Sequence, residues 1–216
     1  MIIIEKLAHN LATKIALQLD YDENSKAVIA YGFIAILQIS IIFSIISILG
    51  VIFGFWYESI IVFITVGTIR KSTGGAHAAT MNGCIIISVL SIVTLSLISR
   101  YLLCVPIKVY INLGISVIVF IIGVITFYFR VPVDSPNKPI IKPDKIMRLR
   151  KQSFFILTAC FILSIIFVIS TIYEKRFYSI ATSLRLAMLW QLLTLTKTGA
   201  IVLNKIELYI TKVVHE

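Results

Sequence analysis

The chain has 216 residues, of which 59% are hydrophobic and 14% are charged, and its mean hydropathy is +1.00. These values exclude an ordinary water-soluble domain, in which apolar and charged residues are far more evenly balanced. The formal net charge of +10 predicts cytoplasmic loops that face an anionic lipid membrane, and the sequence contains no recognisable nucleic-acid-binding module. The composition therefore predicts an all-α integral membrane protein, which we expect to form a single domain over residues 1–216.

Residues 1–26 predict an amphipathic helix that lies at the membrane interface. Charged and amide side chains occupy one part of the helical surface, and apolar side chains recur at every fourth position on another. The apolar positions are Ile3, Leu7, Leu11, Ile15 and Leu19. The charges in this segment do not fit a signal peptide, so we expect the N-terminal helix to be retained.

The remaining chain consists largely of apolar segments that are long enough to cross a membrane. A hydrocarbon core about 30 Å thick takes roughly 20 helical residues. We predict about six transmembrane helices, with a tight turn at Gly50 or Gly54 between the first two, and with Arg185 and Lys197 interrupting the last. The predicted spans are 28–49, 51–69, 84–103, 107–129, 153–172 and 177–203.

Two polar segments separate these spans, at residues 70–83 and 130–152. The second contains four prolines and many basic side chains, which makes it too polar to enter lipid. When both termini are placed in the cytoplasm, most of the Lys and Arg side chains fall on the inner side. The positive-inside rule therefore predicts a multi-pass cell-membrane protein with both termini and both polar loops in the cytoplasm.

The polar segment 70–83 and the start of the next span contain a histidine and a cysteine. A cysteine nucleophile needs a nearby base, because the thiolate rather than the thiol attacks a carbonyl, and His77 can be that base for Cys84. On one unbroken helix their seven-residue separation would span roughly 10.5 Å, which is beyond hydrogen-bond reach. The pair therefore predicts a bend in the chain between the two residues, or a helix that begins late.

A late helix start is favoured by Asn82 and Gly83, since asparagine is a common N-cap residue. Cys84 would then lie in the first turn, where the helix dipole stabilises a thiolate and free backbone N–H groups can stabilise an oxyanion. We also predict a positive φ angle at Gly75. Thr80 and Asn82 are candidates for a residue that orients the histidine.

Other interpretations of the histidine and the cysteine remain open. A single residue of each type in an apolar protein can simply serve packing or an interface. A metal site is weakly supported, because one His and one Cys supply only two of the four ligands that zinc takes, and we predict no metal or cofactor. The three cysteines are an odd number, and this predicts free thiols rather than a disulfide framework.

Two sequence motifs resemble those of a known family. The first is Arg-x-x-x-Gly-Gly-x-His-Ala at residues 70–78, followed by Cys84. The second is Val-Pro-Val-Asp-Ser-Pro-Asn-Lys-Pro at residues 131–139. Together with the length and the order of apolar segments over nearly the entire chain, these motifs resemble the accessory gene regulator protein B family (AgrB), membrane endopeptidases that process quorum-sensing precursor peptides.

The resemblance implies a cysteine endopeptidase that acts on an AgrD-like precursor peptide. His77 and Cys84 match the catalytic pair, while Arg70 and Gly75 match residues that are important for processing. Two further residues fit the surrounding pattern, namely Thr80 and Ser88. The family cleaves its precursor after a core region, whose own Cys or Ser then closes a thiolactone or lactone ring. A homodimer is also consistent with the resemblance.

Other polar residues allow more than one interpretation. Lys138 and the other basic residues of segment 130–152 can attract an acidic tail of the precursor, or they can face anionic lipid. Glu58, Arg185 and Lys197 are ionisable groups in or near predicted spans, although the last two can snorkel from span ends. A peptide exporter without proteolytic activity and a purely structural membrane partner remain alternative functions.

Overall fold

The computed structural model describes residues 2–76, 78, 80–103, 107–133 and 142–215. Within these residues the chain forms eight α-helices and a short π-helical turn, Ile98–Leu102, that continues the fourth of them. In chain order the α-helices are α1 (Ile2–Leu19), α2 (Glu23–Ile52), α3 (Trp56–Thr73), α4 (Met81–Leu97), α5 (Val109–Arg130), α6 (Pro143–Ser170), α7 (Phe177–Thr194) and α8 (Lys197–His215). The prediction of an all-α membrane fold is confirmed.

Four of the described helices are long and apolar enough to cross a membrane. They are α2, α4 together with its π-helical turn, α5 and α6. The helices α7 and α8 pass the same test only as a pair, and they meet at an angle of 91°. The prediction of about six spans is therefore not confirmed, since length and composition support four spans, or five if the bent pair is one span.

The second and the sixth predicted spans account for this difference. α3 replaces the span predicted at 51–69, but it has only 18 residues and contains three charged side chains. The span predicted at 177–203 is wrong as one continuous helix, because the chain turns sharply after Thr194. There Thr196 accepts a hydrogen bond from the Gly199 N–H at 3.0 Å and so caps the start of α8, where Lys197 is exposed.

The N-terminal helix α1 packs against α2. Its buried face is a stripe of alanines at four-residue spacing, Ala8, Ala12 and Ala16, whose small side chains allow the two helices to approach closely. Leu7 and Leu11 of the predicted apolar stripe are exposed instead. That stripe is therefore available to lipid, and the interfacial location of α1 stays a prediction.

The central element of the fold is α7, which is buried over most of its length and contacts α3, α4, α5 and α6. Small side chains make this close packing possible, because they allow neighbouring backbones to approach. The small residues of α7 that are fully buried are Ser179, Ala181, Ser183 and Ala187. Since α7 lies among the other helices rather than at their edge, its C-terminal end is held in a defined place.

Polar contacts within the helical core fix the position of α7. The buried Arg185 guanidinium donates to the carbonyl oxygen of Asn112 in α5 at 3.0 Å and to its side-chain oxygen at 2.5 Å. The buried carboxylate of Glu58 in α3 accepts a hydrogen bond from Ser179 at 2.5 Å and lies 3.5 Å from the Arg100 guanidinium. Arg185 therefore does not snorkel from a helix end, but joins α7 to α5.

The turn between α2 and α3 contains Gly54, whose φ angle is +72°. The turn predicted at Gly50 or Gly54 is thus confirmed, with Gly54 as the turn residue. Gly50 lies within α2, where a Cβ atom would come within 2.8 Å of the Trp56 Cα atom and 2.9 Å of the Ser59 Oγ atom. The absence of a side chain at Gly50 is what allows α3 to begin so close to α2.

We expect Gly50→Ala to destabilise the protein, because the added methyl group meets the backbone of α3. Overpacking of this kind costs about 1–3 kcal/mol, which should lower the thermal unfolding midpoint in detergent by several degrees. Gly114→Ala in α5 is the matched control, since nothing lies within 4 Å of its Cβ position. Alanine also has a higher helix propensity than glycine. Equal midpoints for the two variants would contradict this packing.

Candidate active site

The chain leaves α3 through two glycines in left-handed conformations. Gly74 has φ +71° and Gly75 has φ +122°, so the positive φ predicted at Gly75 is confirmed. Residues with a Cβ atom rarely adopt these angles, which makes glycine the suitable residue at both positions. The helix therefore ends abruptly, and the following residues turn back across the ends of neighbouring helices.

The two family-like motifs meet at this turn. Gly74 forms a parallel β-bridge with Val133, whose N–H donates to the carbonyl oxygen of Thr73 at 2.8 Å. A Cβ atom at Gly74 would collide with the Val133 carbonyl oxygen. The start of the proline-rich segment thus lies directly beside the segment that precedes Cys84, although about 50 residues of sequence separate them.

The C-terminal end of α7 holds the turn from the other side. The side-chain amide of Gln191 donates to the Thr73 hydroxyl at 3.2 Å and to the Gly74 carbonyl at 2.9 Å. The Ala76 N–H donates to the carbonyl oxygen of Thr194 at 2.9 Å. A Cβ atom at Gly75 would lie 2.9 Å from the Thr194 hydroxyl oxygen. Residues 73–76 are therefore fixed by hydrogen bonds and by close packing against α7.

Arg70, in the last turn of α3, forms a hydrogen bond to the same segment. Its guanidinium donates to the Ala76 carbonyl oxygen at 2.7 Å. Burial lowers the pKa of Arg70, and the nearby Cys84 acts in the opposite direction. Because arginine remains protonated even so, Arg70 places a positive charge in the neighbourhood of Cys84, where it would stabilise a thiolate.

The helix that carries Cys84 begins at Met81, with Thr80 as its N-cap. The Thr80 hydroxyl oxygen accepts from the Gly83 N–H at 3.1 Å, and the Thr80 carbonyl accepts from the Cys84 N–H at 2.9 Å. The predicted N-cap, Asn82, is therefore wrong by two residues, because the threonine hydroxyl satisfies this end of the helix. The predicted late start is confirmed, and Cys84 lies in the first helical turn.

This cap changes the expected oxyanion site. The N–H groups of Gly83 and Cys84 are already used by Thr80. Free N–H groups at the helix start would therefore have to come from Met81 and Asn82, which precede the first intrahelical hydrogen bond.

A cavity of about 510 Å³ opens beside this helix start. Its wall brings together four of the predicted site residues, which are Arg70, Thr80, Cys84 and Ser88. Gly75 does not line the cavity but packs against Thr194, which does. Asn82 does not line the cavity either. Away from Cys84 the lining is apolar and comes from α2, α3 and α4. The apolar lining residues there include Ile42, Val62, Phe63, Ile92 and Leu95.

Two predicted site residues, His77 and Lys138, lie outside the described residues. The neighbours of His77 are described, however, and both Ala76 and Ala78 line the cavity that contains Cys84. Ala76, Ala78 and Cys84 also belong to one hydrophobic cluster. The main chain therefore passes beside Cys84 immediately before and immediately after the histidine.

Three polar residues of the site escaped the sequence analysis: Gln191, Thr194 and Glu207. The first two hold the glycine turn, while the Glu207 carboxylate lies against Thr80. The sequence contained a signal for them, because each is a polar residue with apolar neighbours in the chain. Polar residues within apolar membrane segments are candidates for a functional role. Their partners were not visible, since these lie about 115 to 130 residues away in the sequence.

Cys84 and Cys160 are free thiols. Within the described ranges, no group of three or more His, Cys, Asp or Glu side chains is arranged to hold a metal ion. What the cavity does offer is one partly exposed thiol, a half-buried arginine and the start of a helix, all beside a largely apolar space. This combination suits nucleophilic chemistry at a carbonyl group.

We expect Gln191→Leu to loosen the turn, because leucine has a similar volume but cannot donate to Thr73 and Gly74. Loss of such buried hydrogen bonds costs about 1–3 kcal/mol, so amide hydrogen exchange within residues 73–76 should become about tenfold faster or more. Gln18→Leu on the exposed surface of α1 is the control. Unchanged exchange in the Gln191 variant would show that the turn does not depend on α7.

Comparison with known proteins agrees with this arrangement. The sequence model described as "Accessory gene regulator B" matches residues 4–195. The chain is 29% identical over 213 residues to "Putative AgrB-like protein 2" of Clostridium perfringens strain 13, which covers 97% of this chain and 99% of that protein. A "Putative AgrB-like protein" of Clostridium perfringens strain SM101 matches with the same identity and coverage. No solved structure matches the chain significantly.

The match extends through both motifs and every helix up to the end of α7, and the family it identifies acts in accessory gene regulation, a form of quorum sensing. The chain therefore belongs to the accessory gene regulator B family.

Proposed function

We propose that this protein is a membrane-embedded cysteine endopeptidase that cleaves an AgrD-like quorum-sensing precursor and allows the product to cyclise. The observation that carries the proposal is the position of Cys84 in the first turn of α4, on the wall of a cavity that Ala76 and Ala78 also line. Consecutive Cα atoms are only about 3.8 Å apart. His77 joins these two alanines in the sequence, and the proposal requires its imidazole to reach the Cys84 thiol.

The first half of the reaction uses the thiol and the imidazole. His77 takes the proton from the Cys84 thiol, and the sulfur attacks the carbonyl carbon of the scissile peptide bond. The carbon–nitrogen bond then breaks, and the leaving amine receives that proton from His77. The products are a free C-terminal fragment and an acyl thioester on Cys84. Positive charge from Arg70 stabilises the thiolate before attack.

The second half transfers the acyl group within the precursor. A thiol of the peptide core attacks the thioester carbon, its proton passes to His77, and the sulfur of Cys84 leaves and is reprotonated. One thioester replaces another, so little free energy is needed to close a thiolactone. A core serine would give a lactone by the same route. The apolar lining of the cavity favours cyclisation over hydrolysis, because it limits the access of water to the thioester.

The surroundings of the cavity suit a cytoplasmic membrane face. The first helical turns of α6 carry four basic side chains, and Val133, ten residues before α6 begins, contacts Gly74 beside the site. The active site and the basic start of α6 therefore lie at the same end of the helices, where Arg150 also donates to the Tyr128 carbonyl at the end of α5. The positive-inside rule assigns this end to the cytoplasm. The attraction of an acidic precursor tail to Lys138, and a homodimeric assembly, stay predictions.

The catalytic role of Cys84 is tested by mass spectrometry of the purified protein in liposomes with its AgrD-like precursor. We expect the wild type to release a C-terminal fragment and to carry a peptide adduct on Cys84. Cys84→Ala and His77→Ala should form no adduct, and turnover should fall by about 10³-fold or more, as when other catalytic nucleophiles or bases are removed.

Cys160→Ala is the matched control, because it removes a buried thiol in α6 that does not line the cavity. Cleavage that survives Cys84→Ala would remove the cysteine from the mechanism. If the folded wild type binds the precursor but never cleaves it, a peptide exporter becomes the better description.

Arg70 has a distinct expected phenotype. Arg70→Lys keeps the positive charge but loses the planar donor that reaches the Ala76 carbonyl, while Arg70→Met loses both. A hydrogen bond from a charged group is worth about 1.5–3 kcal/mol. We therefore expect kcat to fall by roughly tenfold or more in the lysine variant and further in the methionine variant. Full activity of Arg70→Met would show that neither the charge of Arg70 nor its hydrogen bond to Ala76 contributes to catalysis.

A further inference from the structure

Glu207 of α8 lies against the start of the helix that carries Cys84. One oxygen of its carboxylate, Oε1, accepts from the Thr80 backbone N–H at 2.7 Å and from the Thr80 hydroxyl at 2.9 Å. The side chain is only 8% exposed. A carboxylate is rarely buried to this extent unless hydrogen bonds compensate for its lost hydration, and Thr80 supplies two.

The packing of α8 against α4 brings this carboxylate close to the start of α4. α8 turns by 91° away from α7, and its buried face places Leu203 against Ala78 and Ile87, one turn before Glu207. On α4, a Cβ atom at Gly83 would lie 3.0 Å from Glu207 Oε1. The glycine therefore leaves space for the carboxylate beside the first turn of α4.

Thr80 connects Glu207 to both halves of the proposed catalytic pair. Its hydroxyl donates to Glu207 while accepting from the Gly83 N–H, and its carbonyl accepts from the Cys84 N–H. Thr80 also ends the short segment that begins at Ala76 and contains His77. A residue that holds the backbone and the side chain of Thr80 thus fixes the start of the cysteine helix and the end of the histidine segment together.

The charge of Glu207 adds to this role. A carboxylate near a helix N-terminus is stabilised by the partial positive charge of the helix dipole, and hydrogen bonds to an ionised acceptor are stronger than neutral ones. Glu207 also lies beyond residues 4–195, to which the family model is matched. The anchoring carboxylate therefore comes from a helix outside the residues that the family model matches.

We propose that Glu207 is a positioning residue for the His77–Cys84 pair, which it holds in place through Thr80. The proposal rests on the proposed endopeptidase function. Glu207 takes no part in bond making. It keeps the thiol and the segment that contains the base in one arrangement, and a displacement of about 1 Å in such a pair can cost roughly 100-fold in rate.

The test measures the reactivity of Cys84 directly, in a background where Cys104 and Cys160 are alanine and Cys84 is the only thiol. The rate constant for alkylation by iodoacetamide is recorded in liposomes, together with kcat and KM for precursor cleavage. We expect Glu207→Ala to lower both the alkylation rate constant and kcat by about tenfold or more, with KM changed by less than about threefold. Glu207→Gln retains an oxygen acceptor for Thr80, and should recover most of both rates.

Two further variants keep the test informative if Glu207→Ala does not fold. Glu207→Asp keeps the negative charge but withdraws it from Thr80 by one methylene, and should lower the same two rates. Gly83→Ala displaces the carboxylate from the side of α4. The double variant Gly83→Ala, Glu207→Ala should lower the alkylation rate constant and kcat little more than either change alone, because both changes act on one contact. Glu174→Gln, which removes an exposed carboxylate that pairs with Arg176, is the control for loss of charge.

A purely structural role predicts a different result. Loss of overall stability lowers the amount of folded enzyme but leaves the alkylation rate constant of the folded molecules unchanged. Rates within twofold of the wild type in folded Glu207→Ala, or in Glu207→Asp if the alanine variant does not fold, would overturn the proposal while leaving Cys84-dependent cleavage intact. Absence of cleavage in the wild type would instead refute the endopeptidase function, and alkylation would still report on Glu207.

Discussion

The arrangement of the site depends on the hydrogen bonds between the end of α7 and the turn that follows α3. Residues 73–76 leave helical geometry where the chain is buried or partly buried, and backbone groups withdrawn from water need hydrogen-bond partners within the protein. Gln191 and the Thr194 carbonyl are those partners. Without them the glycine turn would have unsatisfied polar groups, and nothing would direct the chain past Cys84.

The position of α7 is itself set by polar contacts in addition to apolar packing. In a bilayer, lipid tails are as apolar as leucine, so hydrophobicity alone does not specify which helix face meets which neighbour. The contact of Arg185 with Asn112 and the contact of Ser179 with Glu58 each join α7 to a particular residue of another helix. These contacts in the first half of α7 fix its register, and its C-terminal end then presents Gln191 and Thr194 to the turn.

The cavity combines two environments that the proposed reaction needs. Around Cys84 the wall carries the Arg70 charge, the Thr80 cap and the start of a helix, which favour a thiolate. Deeper between α2, α3 and α4 the wall is apolar, which suits hydrophobic side chains of a peptide and excludes water from an acyl thioester. A peptide bound along this cavity would place its scissile bond where the polar and apolar parts meet.

Several features of the fold follow from local sequence alone. Long apolar segments produced the membrane-crossing helices α2, α4, α5 and α6, because each must satisfy its backbone hydrogen bonds internally, whatever its neighbours are. The positive φ of Gly75 was also predictable from the Gly-Gly pair. The cap at Thr80 was less so, since Asn82 has a comparable intrinsic preference and only the Glu207 contact explains why the threonine is held in place.

The sequence by itself determined the membrane class, most helices and the identity of Cys84 as the candidate nucleophile, since composition, apolar segment length and local motifs are properties of short stretches of chain. The tertiary structure alone decided that α7 is largely an internal helix, that α8 meets it at 91°, and that Gln191, Val133 and Glu207 converge on the segment before α4. Such contacts join residues far apart in the chain, and they depend on which helix faces meet, which no local pattern encodes.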